Sequence, residues 1–158
     1  MTSHEISLEA LDALGDVDAL CLFVAEEDRP LRGTAGFVDW RLCGALSRVL
    51  LEGFFHGAEG ESLLLPAGGR LPMKRIFVVG IGSRRKLDAA ALGRLLSNTS
   101  EMLQRAKVPS VAIELPGEGA LDDDARAVAL RSKFLPAFAR ARVAVLGDRN
   151  VARIVQTG

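Results

Sequence analysis

The chain has 158 residues, 49% of them hydrophobic, which is enough to bury a core and predicts one domain over residues 1–158. Its 20 basic and 20 acidic residues cancel, so binding to polyanions through a large net charge is not indicated. We expect a cytoplasmic location without membrane contact, because the start lacks a leader pattern and no run reaches the roughly 20 apolar residues of a membrane span.

The charges are distributed unevenly along the chain. Residues 1–30 contain eight acids and one base, whereas residues 131–158 contain six bases and one acid. Such a polar molecule could associate head to tail or dock an acidic protein partner. The plainer interpretation is that both segments are solvated surface.

The first half of the chain predicts a strand, a loop and a helix, in that order. Residues 18–25, DALCLFVA, form a short apolar run that fits a strand buried on both faces. Proline and glycine mark residues 29–36 as a loop. Apolar residues at helical spacing predict a helix over 37–52 that ends at Gly53.

The middle of the chain predicts two neighbouring strands followed by a long helix. The apolar runs 63–65 and 76–79 flank a loop rich in proline and glycine, which favours an antiparallel pair. Asp88 is positioned as the N-cap of a helix with leucines on one face. Residues 110–116 then predict a further strand.

The last third predicts another helix and strand. The aspartates at 122–124 favour the start of a helix that ends near Pro136, because carboxylates stabilise the positive end of the helix dipole. Residues 141–147 predict the last strand, and 149–156 a short terminal helix. Strands alternating with helices are typical of a three-layer α/β domain with a mixed or mostly parallel sheet.

The turn after the 76–79 strand is the candidate ligand site. Its first glycines fit a dinucleotide fingerprint, but Arg85 stands where the third glycine belongs, and the Gly-Lys-Ser/Thr ending of a phosphate-binding loop is missing. Free backbone amides near a helix start, together with three cations, still predict a weak anion site. The alternative is a tight structural turn. The candidate residues are Gly80, Gly82, Ser83, Arg84, Arg85 and Lys86.

The sequence offers few other candidate catalytic or metal-binding residues. His4 and His56 lack the spacing of metal ligands or of a catalytic base, and Cys21 and Cys43 lie in apolar patterns without metal or redox spacing. The chain has no tyrosine and one tryptophan, so a fold that stacks nucleic-acid bases on aromatic rings is disfavoured. The sequence therefore predicts no metal and no cofactor.

Several segments occur in a familiar order between residues 16 and 115. They are the strand DALCLFV, a helix opening near Asp39, the glycine-bearing FHGAEGES, the strand RIFVVGIGS and the helix start KLD. This ordered set resembles the amino-terminal domain of the leucyl aminopeptidases, the dinuclear-metal cytosol aminopeptidase family. The resemblance implies a macro-like α/β/α fold. In that family the metals and catalytic groups lie in a separate carboxy-terminal domain built around an NTDAEGR-type motif, which is absent here.

The resemblance implies a stand-alone domain that is not an enzyme on its own. Its leading expected role is binding, regulation or oligomer assembly, through self-association or a protein partner. One alternative is that the macro-like fold binds ADP-ribose or another phosphate-bearing small molecule at the glycine turn. Another is contact with DNA through the basic carboxy-terminal stretch, or service as the noncatalytic part of an aminopeptidase.

Overall fold

The computed structural model describes residues 1–157, in which strands and helices alternate. The strands are β1 (Thr2–Glu5), β2 (Ala19–Val24), β3 (Ser62–Pro66), β4 (Arg75–Gly80), β5 (Ser110–Glu114) and β6 (Arg142–Gly147). The α-helices are α1 (Leu8–Asp12), α2 (Gly33–Arg41), α3 (Ala45–Leu51), α4 (Ala89–Arg105), α5 (Asp123–Ala129) and α6 (Arg149–Thr157). Arg84–Lys86 and Leu135–Phe138 are 3-10 turns, and Leu130–Phe134 is a π-helical turn.

The six strands form one mixed sheet in the order β1-β6-β5-β2-β4-β3. The β3–β4 pair is antiparallel, as predicted, and the other pairs are parallel. Every residue of β2 is buried, because parallel strands at the centre of a sheet are covered on both faces. Helices α1, α2 and α3 cover one face of the sheet, and α4, α5 and α6 cover the other. The predicted three-layer α/β/α architecture is confirmed.

The predicted helix over 37–52 and loop over 29–36 are partly wrong. The chain forms two helices, α2 and α3, and α2 already begins at Gly33. Cys43 and Gly44 separate them with φ angles of 55° and 80°, and two successive left-handed residues cannot continue a right-handed helix. Strand β1 and helix α1 were not predicted, because their segment is short and mostly polar.

No helix within residues 1–157 combines the length and the apolar character that crossing a membrane requires.

Candidate functional site

The carboxyl ends of the parallel strands meet at one edge of the sheet and leave a crevice there. Strand β2 lies between β4 and β5, and the chain leaves β2 toward one face of the sheet but leaves β4 and β5 toward the other. Such a reversal is the usual place for a ligand in an open α/β sheet, because the diverging connections leave a gap. We call this gap the carboxyl-edge crevice.

Three loops line the carboxyl-edge crevice. Two adjoining cavities of about 450 and 410 Å³ share Arg84 and Glu118, and a smaller recess reaches inward to Phe23. Volumes in this range fit small-molecule ligands. The lining side chains and backbone that matter below belong to Asp28, Arg32, Gly33, Arg84, Glu114, Glu118 and Gly119.

Arg84 is held in place by a bidentate ion pair with Asp28. Its Nη2 atom donates to Asp28 Oδ1 at 2.9 Å and to Oδ2 at 2.8 Å, and Nε donates to Oδ1 at 3.0 Å. The backbone N–H of Ala25 also donates to Asp28 Oδ2, at 2.9 Å. Because Arg84 donates three hydrogen bonds to Asp28, and Asp28 also accepts one from the Ala25 amide, the guanidinium keeps one orientation at the wall of the crevice.

The backbone amides of the predicted anion turn already have partners inside the protein. The N–H groups of Gly80, Ile81 and Gly82 donate to backbone carbonyls. The carboxylate of Glu27 accepts from the Ser83 hydroxyl and from the Arg84 amide, and these hydrogen bonds hold the pKa of Glu27 below its ordinary value. The carboxylate of Glu27, which belongs to the same chain, therefore occupies the place where a bound anion was expected.

Of the six predicted site residues, Arg84 and Arg85 line the crevice, and Lys86 is exposed beside a separate cavity with Ser83 and Gly82. Whether the turn itself binds an anion stays a prediction. Gly80 has a packing reason for being glycine, because a Cβ there would lie 2.1 Å from the carbonyl oxygen of Ala58.

The start of helix α2 forms the opposite wall of the crevice. Its N-cap residue, Arg32, makes no side-chain capping hydrogen bond, so the first amides of the helix lack the usual acceptor. Gly33 begins the helix with a φ of 58°. The position that a Cβ on Gly33 would occupy lies 3.4 Å from Glu114 Oε1. A carboxyl group of β5 thus stands close to an uncapped helix start.

Glu114 is the most perturbed acid of the crevice. Burial raises its pKa to about 7, and the negative charge of Glu118 acts in the same direction. Arg84 lowers the pKa, while Asp28 raises it further. Since this pKa lies close to neutrality, a modest change of pH switches the charge of the crevice.

The loop after β5 is fixed by a fully buried arginine. Arg126 donates from Nη2 to the carbonyl of Leu115 at 2.6 Å and from Nε to that of Pro116 at 3.1 Å. Its Nη1 atom lies 2.9 Å from Asp123 and 3.6 Å from Asp148. Because a buried charge must be paired to be tolerated, these contacts tie the crevice wall to two helix starts.

Sequence reasoning missed most of the crevice. Asp28 and Arg84 are 56 residues apart in sequence, so no local pattern links them. Arg32 and Gly33 were assigned to a loop, and Glu114 was counted only as part of a strand. Within residues 1–157, no group of three or more histidines, cysteines or acids is arranged to hold a metal ion.

The fold and the crevice define a macro-like α/β/α domain. The family model described as the N-terminal domain of the cytosol aminopeptidase family matches residues 20–133. The chain therefore belongs to the cytosol aminopeptidase family through that N-terminal domain. A probable cytosol aminopeptidase of Thermosynechococcus vestitus is 31% identical over 107 residues, which are 68% of this chain and 22% of that protein. The chain spans about a fifth of the length of the curated relatives it matches.

Two solved structures illustrate the shared fold. A variant of tomato leucine aminopeptidase superposes with a TM-score of 0.65 at 17% identity, over 98% of this chain and 34% of that one. A Trypanosoma brucei macrodomain in complex with ADP gives a TM-score of 0.72 at 12% identity, over 98% of this chain and 66% of that one. At these identities the likeness establishes the fold.

Proposed function

We propose that this domain is a noncatalytic binding module whose carboxyl-edge crevice takes a phosphate-bearing small ligand of the nucleotide or ADP-ribose class. The observation that carries the proposal is the uncapped start of helix α2, with Arg32 beside it and the anchored Arg84 in the same crevice. A helix start attracts anions because its free amides and the helix dipole both favour negative charge. The fold shared with a macrodomain solved in complex with ADP supports a ligand of this class.

The remaining crevice residues fit such a ligand in distinct ways. Gly117 and Gly119, with φ angles of 97° and 76°, let the backbone of their loop approach a ligand closely. Glu114 opposes an anion when ionised, and accepts a hydrogen bond from a ligand hydroxyl or amine. Protonation of Glu114 near neutrality lowers that repulsion, so we expect anions to bind more tightly as the pH falls through 7.

The noncatalytic part of the proposal rests on the residues available. The match is to a family's N-terminal domain, and the described residues lack a metal-holding cluster. Purified protein should therefore fail to hydrolyse leucyl substrates with Zn²⁺, Mn²⁺ or Mg²⁺ present. Metal-dependent hydrolysis that survives removal of contaminating peptidases would refute this part and leave ligand binding untouched.

Ligand binding is tested by calorimetric titration with ADP-ribose and with ADP. We expect saturable heat for the wild type and an affinity weaker by about three- to tenfold for Arg32→Ala, the size of one exposed charge at a helix start. Arg140→Ala is the matched control, because Arg140 is an exposed arginine that precedes β6 at the opposite edge of the sheet. Absence of heat at high ligand concentration would remove the ligand proposal.

Contact with DNA stays a prediction that the arrangement of the basic stretch does not favour. Arg142 pairs with Asp16, Arg149 pairs with Glu5, and Arg131 donates to a backbone carbonyl of α6. These partners reduce the charge that phosphates would meet. A cytoplasmic location also stays a prediction, in keeping with the name of the cytosol aminopeptidases.

A further inference from the structure

The outer edge of β3 leaves backbone hydrogen-bonding groups without a strand partner. Within the described residues 1–157, strand β3 is the last of the sheet and pairs only with β4. Glu61 accepts a hydrogen bond from the Gly80 amide at 2.9 Å, which makes Glu61 and every second residue after it the inward-bonded positions. The N–H and C=O groups of Ser62 and Leu64 therefore point away from the sheet.

The side chains along this edge are apolar on both faces. Leu63 and Leu65 are half-buried on the face that α1, α2 and α3 cover, while Leu64 is 53% exposed on the opposite face. On that face a cavity of about 220 Å³ lies between β3 and α4, lined by Ser62 and Met102 among others. Edge strands of soluble proteins usually carry charges, bulges or prolines that prevent pairing, whereas β3 carries a proline at its last position and three leucines before it.

We propose that two copies of this chain associate through antiparallel pairing of their β3 edges, which joins two six-stranded sheets into one. A two-fold axis at Leu63 places Ser62 of each copy opposite Leu64 of the partner subunit, and each such pair exchanges both N–H···O bonds. Pro66 has no N–H and lies outside these pairs. The side chain of Leu64 from one copy then lies over the cavity beside Ser62 of the other.

Charge favours a second copy as the occupant of the edge. The segment that leads into β3 carries the exposed Glu59, and the turn that follows β3 carries the exposed Arg70 and Lys74. Antiparallel pairing brings the acidic start of one β3 to the basic end of the other, at both ends of the interface. Opposite charges placed across an interface fix its register and favour encounter.

Sedimentation velocity over a wide range of protein concentration tests the proposal. We expect the wild type to form a dimer whose dissociation constant rises at least about tenfold in Leu64→Lys, because a charge replaces an apolar contact. Leu51→Lys is the matched control, since Leu51 is an 87% exposed leucine on α3, and this variant should dimerise like the wild type. Circular dichroism establishes that both variants are folded.

Amide hydrogen exchange localises the contact. The amides of Ser62 and Leu64 should exchange more slowly as the wild-type concentration rises, and should stay fast in Leu64→Lys. A wild type that stays monomeric at every concentration would overturn the proposal. That result would hold even if the β3 edge pairs with a strand of another protein. Equal weakening by both lysine substitutions, or a dimer without protection of the two amides, would overturn it as well.

Discussion

The carboxyl-edge crevice and the outer edge of β3 are two open surfaces with opposite chemistry. The crevice is lined by several charged side chains, of which Arg84 and Asp28 hold each other in place, and its loop after β5 is fixed by the buried Arg126. The β3 edge consists of leucines and of backbone groups that bond to nothing in the sheet. A preorganised polar cavity suits a small charged ligand, whereas a bare strand edge suits another strand.

Because the two surfaces differ in chemistry, substitutions can be chosen that affect one surface and leave the other unchanged. Changes in the crevice should alter ligand affinity and leave self-association intact, while changes at β3 should do the reverse. A variant that altered both would show that the two surfaces are coupled through the sheet.

The largest effect is expected from Arg126→Met, which should destabilise the fold by about 3–5 kcal/mol. The substitution leaves Asp123 and Asp148 without their buried partner and removes the donors to the loop after β5. Denaturant unfolding measures the change. The exposed Arg153→Met is the control and should shift stability by less than about 0.5 kcal/mol. Similar values for the two variants would show that Arg126 does not hold the crevice wall.

Gly80→Ala should cost about 1–3 kcal/mol, because the added Cβ would collide with the carbonyl oxygen of Ala58. The loss should appear in thermal or denaturant unfolding. Gly15→Ala is the matched control, since its added Cβ meets only Pro72 Cβ at 3.8 Å. If Gly80→Ala were as stable as the control and only lost ligand affinity, the glycine turn would be a binding element and not a packing element.

Glu114→Gln should change how stability depends on pH. The folded protein keeps the Glu114 proton up to a pKa of about 7, against an ordinary value of 4.5, so the contribution of Glu114 to stability is largest below pH 4.5 and is lost as the pH rises through 7. In the glutamine variant the free energy of unfolding should not fall in this way between pH 5 and pH 8. The difference should be roughly 1–2 kcal/mol, because the side chain of Glu114 is partly exposed.

Urea unfolding at pH 5 and pH 8 measures that difference between wild type and variant. Glu101→Gln, at an exposed position of helix α4 outside the crevice, is the control and should keep the wild-type dependence. Parallel pH profiles for wild type and Glu114→Gln would show that Glu114 titrates as an ordinary acid.

The smallest effect is expected when Arg85 and Lys86 are both replaced by alanine. Both side chains are exposed, and the amides nearby donate to internal acceptors, so stability should change by less than about 0.5 kcal/mol and ADP-ribose affinity by less than about threefold. Calorimetry checks the affinity. A loss larger than that of Arg32→Ala would place the ligand beside Arg85 and Lys86 and away from the start of helix α2.

Local signals were sufficient to predict most of the fold. Apolar runs marked β2, β4, β5 and β6, since buried parallel strands need apolar residues on both faces. The predicted N-cap role of Asp88 is confirmed by its 2.8 Å hydrogen bond from the Ala91 amide. The break between α2 and α3 was not predictable from periodicity, because Cys43 adopts a left-handed conformation that its residue type does not favour.

The candidate site was less accessible from sequence, because its contacts join distant segments. The turn at Arg84 was recognised from its cations, but its partners Glu27 and Asp28 come from the loop after β2. Which backbone groups of β3 point outward depends on which alternate residues of β3 bond to β4. Composition does not specify that register.

Backbone amide NMR during titration with ADP-ribose tests directly whether the carboxyl-edge crevice is the ligand site. We expect saturable shifts centred on Arg32, Gly33 and Gly117–Gly119, with the amides of Ser62 and Leu64 unchanged at constant protein concentration. Absence of shifts at high ADP-ribose concentration, or shifts centred on β3 in place of the crevice, would contradict it.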